Sequence, residues 1–317
     1  MSNDVYLNRF ALALGEGECS VRTSWEAGRT RTDVETFESS GFFRHRMAAE
    51  GTTSYDLAYR AVQGLDEIPR DATTLVYATA LPLNANMGDP GDFEQSRDIK
   101  DLSDFPASRL QAEFDLDRAS VVGLTQQACT AMLGAIRLAR ALLLAEPRQE
   151  SILCVTADRF PAGALYEQAY SLVSDGASAC VVSRFPAGYR ILACHAITIG
   201  ALAHASEDEM AGSHFSFSHR IITETLELAG LSIRELDWIV PQNTTPRVWQ
   251  ILARALGFPL DRVVRETVAD VGHVISSDNL VNLAALEASG RVRPGERLLL
   301  FMASFGMNWQ GLVLEKV

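Results

Sequence analysis

Short apolar runs rich in β-branched residues alternate along this chain with longer amphipathic stretches, the pattern of an α/β fold. Residues 74–80, 120–124, 151–156, 177–183, 237–240, 298–301 and 311–315 read as buried strands. Cys129, Met132, Leu133, Ile136, Ala139 and Leu143 recur at helical spacing, which predicts a helix with one apolar face. Further helices are expected over 215–229, stopped by Gly230, over 245–256, with Pro246 in the first turn and Gly257 beyond the end, and over 278–289, closed by Gly290. The polar stretch 84–107, which carries glycines and prolines, interrupts two strand-like segments and is expected as a loop or lid. The order of elements reads roughly twice over, which divides the chain into halves at 1–184 and 185–317.

Composition narrows the class. The chain has 317 residues, 47% of them hydrophobic and 21% charged, enough for a sizeable core and too apolar for a disordered chain. Acidic residues number 40 and basic 28, for a formal charge of −12, which argues against nucleic acid or an anionic membrane as partner. No run is expected to reach the ~18 apolar residues of a membrane helix. The start lacks a basic segment followed by an apolar one, so no secretory signal is expected. Cysteines stand at 19, 129, 154, 180 and 194 with no C-x-x-C pair. That usage fits reduced thiols in the cytoplasm better than a disulfide framework or a zinc site, and no metal is expected.

Most motif-like stretches have ordinary readings. Gly15-Glu16-Gly17-Glu18-Cys19-Ser20 lacks the third glycine of a dinucleotide loop and reads as a hairpin turn. His204, Glu207, Asp208, Glu209, His214 and His219 lack H-E-x-x-H spacing and read as a solvated acidic loop. No G-x-S-x-G elbow exists.

The informative segment is 120–133, SVVGLTQQACTAML, where a strand-like run ends in Gln126-Gln127 and a helix starts at once. Cys129 then sits at a helix N-terminus, where free amides and the dipole favour a thiolate; a buried, inert thiol is the competing reading. A nucleophilic cysteine needs a base. His273, in Asp270-Val271-Gly272-His273-Val274-Ile275-Ser276-Ser277-Asp278-Asn279, is the best candidate. Asp270 and Asp278 are both candidates to orient it. His195 lies in an apolar run and reads as a satisfied core residue; His45, between Arg44 and Arg46, reads as exposed.

These residues resemble the ketosynthase III (3-oxoacyl-acyl-carrier-protein synthase III) branch of the thiolase superfamily. From residue 40 to the C-terminus the family's motifs follow in order. T-G-I-x-x-R is echoed by Ser40-Gly41-Phe42-Phe43-Arg44-His45-Arg46, and A-C-x-G by Ala128-Cys129-Thr130-Ala131. G-D-G-A appears as Ser174-Asp175-Gly176-Ala177, and P-H-Q-A-N-x-R as Pro241-Gln242-Asn243-Thr244-Thr245-Pro246-Arg247. G-N-T-S-A-A appears as residues 272–277, and the closing F-G…W-G pair as residues 305–311. The resemblance implies a duplicated five-layer α/β/α/β/α fold, usually a homodimer, whose Cys129 is acylated from a coenzyme A or carrier-protein thioester. No other cofactor is implied. The backbone N–H groups of Cys129 and a residue near Gly306 would form the oxyanion hole.

The chemistry departs from the family pattern. Gln242 stands at the family's His position and His273 at its Asn position, so one imidazole remains and has moved. Glutamine donates an N–H but takes no proton at neutral pH. A lone base beside an acyl-cysteine suits ping-pong transfer to an acceptor nucleophile, as in acyltransferases of specialised metabolism. Decarboxylative condensation with a malonyl thioester, and a non-catalytic subunit of a heterodimeric synthase, are the alternatives. Of the family's coenzyme A clamp only Phe37 stands near the expected place, without its arginine. Asn243 is expected to position substrate, and Arg247, with Arg254, to meet a phosphopantetheine or an acidic carrier protein.

Overall fold

The computed structural model describes residues 4–168, 171–305 and 307–317. Its main strands are β1 (Tyr6–Leu14), β2 (Thr74–Ala78), β3 (Ser120–Leu124), β4 (Ser151–Asp158), β5 (Gly176–Ser183), β6 (Tyr189–Thr198), β7 (Trp238–Val240), β8 (Arg297–Ser304) and β9 (Asn308–Lys316). They hydrogen-bond in the order β7-β8-β9-β6-β1-β5-β4-β2-β3. The duplication is visible in the pairing. In the first half the first strand pairs antiparallel with the last (β1–β5), the last antiparallel with the one before it (β5–β4), and that one parallel with β2, which in turn pairs with β3. The second half repeats this as β6–β9, β9–β8 and β8–β7. Tyr6 opposite Arg190 and Leu7 opposite Tyr189, with the Ile191 N–H on Val5 O (2.8 Å), join the two halves' strands into one nine-stranded sheet.

Alternation along the strands builds five layers. Ile152 and Cys154 of β4, and Leu298, Leu300 and Met302 of β8, face one shared core. Into it pack Met132, Ile136 and Leu143 of α3 (Ala131–Ala145) and Leu280 and Leu283 of α6 (Asp278–Ala288). The opposite face of the first sheet, with Leu153 and Val155, is covered by α1 (Ser54–Gln63) and α2 (Pro106–Glu113). The opposite face of the second, with Leu299 and Phe301, is covered by α4 (Glu207–Leu228) and α5 (Pro246–Leu256). Each large side chain so enclosed contributes roughly 1.5–3 kcal/mol relative to exposure.

Several expectations need correction. The helix expected at 215 begins at Glu207, because Ser206 and Glu209 cap one another's backbone N–H groups. The acidic loop expected there is therefore the helix's first turn. The 84–107 stretch carries its own helices, Pro90–Ser96 and Ile99–Leu102. Against the expectation that no run reaches that length, Ala128–Ala145 is long and apolar enough by composition to cross a membrane. Yet 61% of that window is buried, as a helix wedged between two sheets requires.

His45 is also corrected. Its neighbours Arg44 and Arg46 reach Glu18, while strand alternation turns His45 inward to full burial. Its Nδ1–H donates to Val173 O (2.7 Å) and its Nε2 accepts from Ser24 Oγ (2.7 Å). Burial holds it down to about 4. The unfolded chain therefore binds a proton near pH 6.5 that the folded chain refuses until about pH 4. Stability carried by neutral His45 is complete above 6.5 and lost as pH falls through this window. Urea titrations are expected to show the stability gap between wild type and His45→Gln shrinking by about 3 kcal/mol from pH 7 to pH 4. A constant gap would contradict it.

Candidate active site between the two halves

The cysteine turn follows β3. Residues Ala128–Thr130 form one 3-10 turn before α3, and Ala128 adopts φ +45°, a left-handed conformation that side chains with a Cβ resist. Cys129 is 2% exposed. No side chain caps the first amides of α3, so they and the helix dipole face this turn.

His273 is held from the other half. Gly272 has φ +65° and ψ −156°, a region essentially reserved for glycine, and a Cβ there would lie 2.6 Å from Leu172 O. The next residue can then bridge to the 171–174 segment. His273 N donates to Leu172 O (2.8 Å) and Ser174 N to His273 O (2.8 Å). Ile275, at φ +48°, folds the chain back so that the start of α6 meets the imidazole. His273 Nδ1 donates to Asp278 Oδ2 (2.5 Å), which turns Nε2 toward Cys129, with which the ring also hydrogen-bonds. Burial alone would lower the imidazole's pKa; the charge and hydrogen bond of Asp278 override it and, with Cys129, lift His273 well above 6.5.

Asp278 is itself fully buried and anchored by two amides, from Asn243 (2.6 Å, to Oδ2) and Val274 (2.6 Å, to Oδ1). Asp270 instead lies on the surface against Arg44 (3.5 Å). Of the two candidate acids, Asp278 is thus the one on the imidazole.

Asn243 differs from its expected role. It is fully buried and has no group left for a substrate. Its Nδ2 donates to Gly272 O (2.7 Å) and Thr267 Oγ1 (2.9 Å), and its Oδ1 accepts from Asn282 Nδ2 (2.8 Å). It braces both Asp278 and the loop that carries His273. Gln242, half-buried, gives its Oε1 to the N–H of Ala303 on β8, the strand against which the cysteine turn packs. That fixes its NH2 as the end free to donate.

Phe37 is also placed otherwise than expected. It is 1% exposed, edge-to-face with Phe42 and enclosed by Val21, Leu172 and Val268, so no face of its ring is open to a ligand. Arg247 and Arg254 are exposed on α5 and, with Gln250 and Ile251, line one shallow depression. Among the described residues no carboxylate pairs with either arginine. Gly306 lies outside the described residues. His195 is half-buried, its Nε2 on Glu224 (2.7 Å). Among the described residues no three His, Cys, Asp or Glu side chains converge as a metal site. Thr267, in a turn, and Asn282, a polar residue on an apolar helix face, complete the brace around Asn243 and gave no further signal in the sequence.

The chain carries a buried Cys–His–Asp line within a layered α/β fold of the thiolase type. Models of the 3-oxoacyl-[acyl-carrier-protein] synthase III family match residues 125–200 and, for its C-terminal part, residues 226–316. The chain belongs to that family. A β-ketoacyl-[acyl-carrier-protein] synthase III of Cereibacter sphaeroides is 28% identical over 98% of this chain and 96% of its own. One of Rhizorhabdus wittichii is 25% identical over 95% and 98%. Among solved structures, ChlB3, described as an acyltransferase, superposes with TM-score 0.83 at 23% identity over 99% of this chain and 98% of that one. The Pseudomonas aeruginosa 3-oxoacyl-(acyl carrier protein) synthase III gives 0.80 at 20% over 99% and 98%. At these identities the structural likeness establishes the fold.

Proposed function

We propose that this chain is an acyltransferase that loads an acyl group from a coenzyme A or carrier-protein thioester onto Cys129 and passes it to an acceptor nucleophile. The observation that carries this reading is the buried line Cys129–His273–Asp278, a nucleophile, a base and the acid that orients it. The Cys129 thiolate attacks the thioester carbonyl. The oxyanion takes the Cys129 N–H, with a second donor near Gly306 and the Gln242 amide as further candidates. Collapse expels the donor thiolate, which takes its proton from the His273 imidazolium. An incoming hydroxyl, amine or acidic C–H then gives its proton to neutral His273, attacks the acyl carbonyl and releases the Cys129 thiolate. The chain needs no cofactor for this beyond its thioester substrate.

Arg247 and Arg254, which no carboxylate among the described residues pairs with, suit the phosphates or carboxylates of the donor, and the relatives' names favour a carrier protein. A second copy fits the free edge of β3, on which Val121 is exposed. Five free thiols suit a reducing cytoplasm. Residues 1–184 and 185–317 remain our division into a half carrying the nucleophile and a half carrying the base.

The test is intact mass after incubation with acetyl and longer acyl thioesters. The expected result is a single adduct, absent in Cys129→Ala, that is discharged by nucleophilic acceptors. No adduct, or one that survives Cys129→Ala, overturns the reading. The relatives' names keep decarboxylative synthesis as the second reading. Release of carbon dioxide from a malonyl thioester in step with product would establish it instead.

A further inference from the structure

We propose that Gln310 is a positioning residue for the nucleophile, setting the turn that presents Cys129 from a strand of the opposite half. The inference rests on Cys129 being the nucleophile. A left-handed Ala128 is strained and persists only where its surroundings hold it. The holding groups come largely from the second half of the chain.

Thr130 Oγ1 donates to Gln127 O (2.7 Å), so its hydroxyl proton is spent and the oxygen can only accept. The group that reaches it is Gln310 Nε2 (3.1 Å), and the other N–H of the same nitrogen goes to Gln127 Oε1 (2.8 Å). One amide thus closes a ring of hydrogen bonds over the residues on both sides of Cys129. Gln310 is 3% exposed, so water does not compete. Asn308 on the same strand donates to Gln126 O (3.3 Å), and Ser276 to Ala128 O (3.2 Å). The Gln127 side chain lies across Gly134, where any Cβ would collide with its Oε1. The turn that aims the sulfur is therefore built against β9 and the 275–277 segment, the same half that supplies His273.

Two variants of the full chain test this independently. Gln310→Met removes both donors at nearly constant volume. Gly134→Ala leaves Gln310 intact but displaces Gln127 from it. Alkylation of Cys129 by iodoacetamide, followed on the Cys129 peptide by mass, reads the thiol without any acyl donor. Both folded variants are expected to alkylate about tenfold more slowly, and to lose a similar factor in kcat with KM changed less than twofold. A folded Gln310→Met protein that alkylates at the wild-type rate overturns the proposal. Should that variant not fold, a wild-type rate in Gly134→Ala overturns it. A protein never acylated, yet whose alkylation responds to both changes, keeps this inference and removes the acyltransferase reading instead.

Discussion

His273→Asn is expected to lower transfer to the acceptor by about a thousandfold or more, because asparagine can neither give the departing donor thiolate its proton nor take one from the acceptor. The choice of residue matters. A bare cavity at 273 would leave the buried Asp278 carboxylate short of a donor, and the loss of activity would mix with unfolding. An asparagine amide can still donate to Asp278 Oδ2, while Asn243 N and Val274 N keep their places. Pre-steady-state turnover and a thermal melt on the same sample separate the two effects. Retention of more than a tenth of wild-type turnover in a folded variant would mean that another group moves the proton.

The parts of this site that could be read from the sequence share a physical reason. Buried strands such as residues 151–158 show because both faces are enclosed and the run is continuously apolar. Cys129 shows because a strand ends in polar residues and a helix starts within one turn. By contrast β1 and β6, the first strand of each half, were not assigned. Each carries a register shift, between Leu7 and Arg9 and between Ile191 and Ala193, and the extra residue breaks the period-two signal. His45 was misplaced although strand alternation alone would have turned it inward from its two arginines. Asp278 could not be chosen over Asp270, because the choice depends on the left-handed Ile275 that reverses the chain between residues 273 and 278. Asn243 and Gln310 act through partners 35 and about 180 positions away, and no local pattern marks such a residue. Phe37 is expected at the substrate only because it stands near the place of the family's coenzyme A clamp, whereas its surroundings are apolar on all sides.

Asp278→Asn is expected to cost activity by about 10²–10⁴-fold, for a reason distinct from the loss of the base. The imidazole remains, but the carboxylate that fixes Nδ1 as the donor and lifts its basicity is gone. His273 then titrates lower, so the alkaline-rising limb of acceptor transfer moves to lower pH even as its plateau drops. His273→Asn abolishes that limb, so the pH profile tells the two variants apart. Stability has its own signature. In the wild type the folded pKa of His273 is raised, so the stability it contributes is complete below 6.5 and is lost as pH rises through the folded value. In Asp278→Asn, which removes the strongest raising influence, that dependence weakens. The asparagine offers one oxygen where Asn243 N and Val274 N each had their own, which leaves one buried N–H unpaired at about 1–3 kcal/mol. Urea titrations at pH 6 and pH 9 are therefore expected to show the variant less stable at both, with the gap wider at the lower pH. A gap equal at the two pH values, or a limb that stays in place, would mean that Asp278 holds the loop and leaves the chemistry of His273 alone.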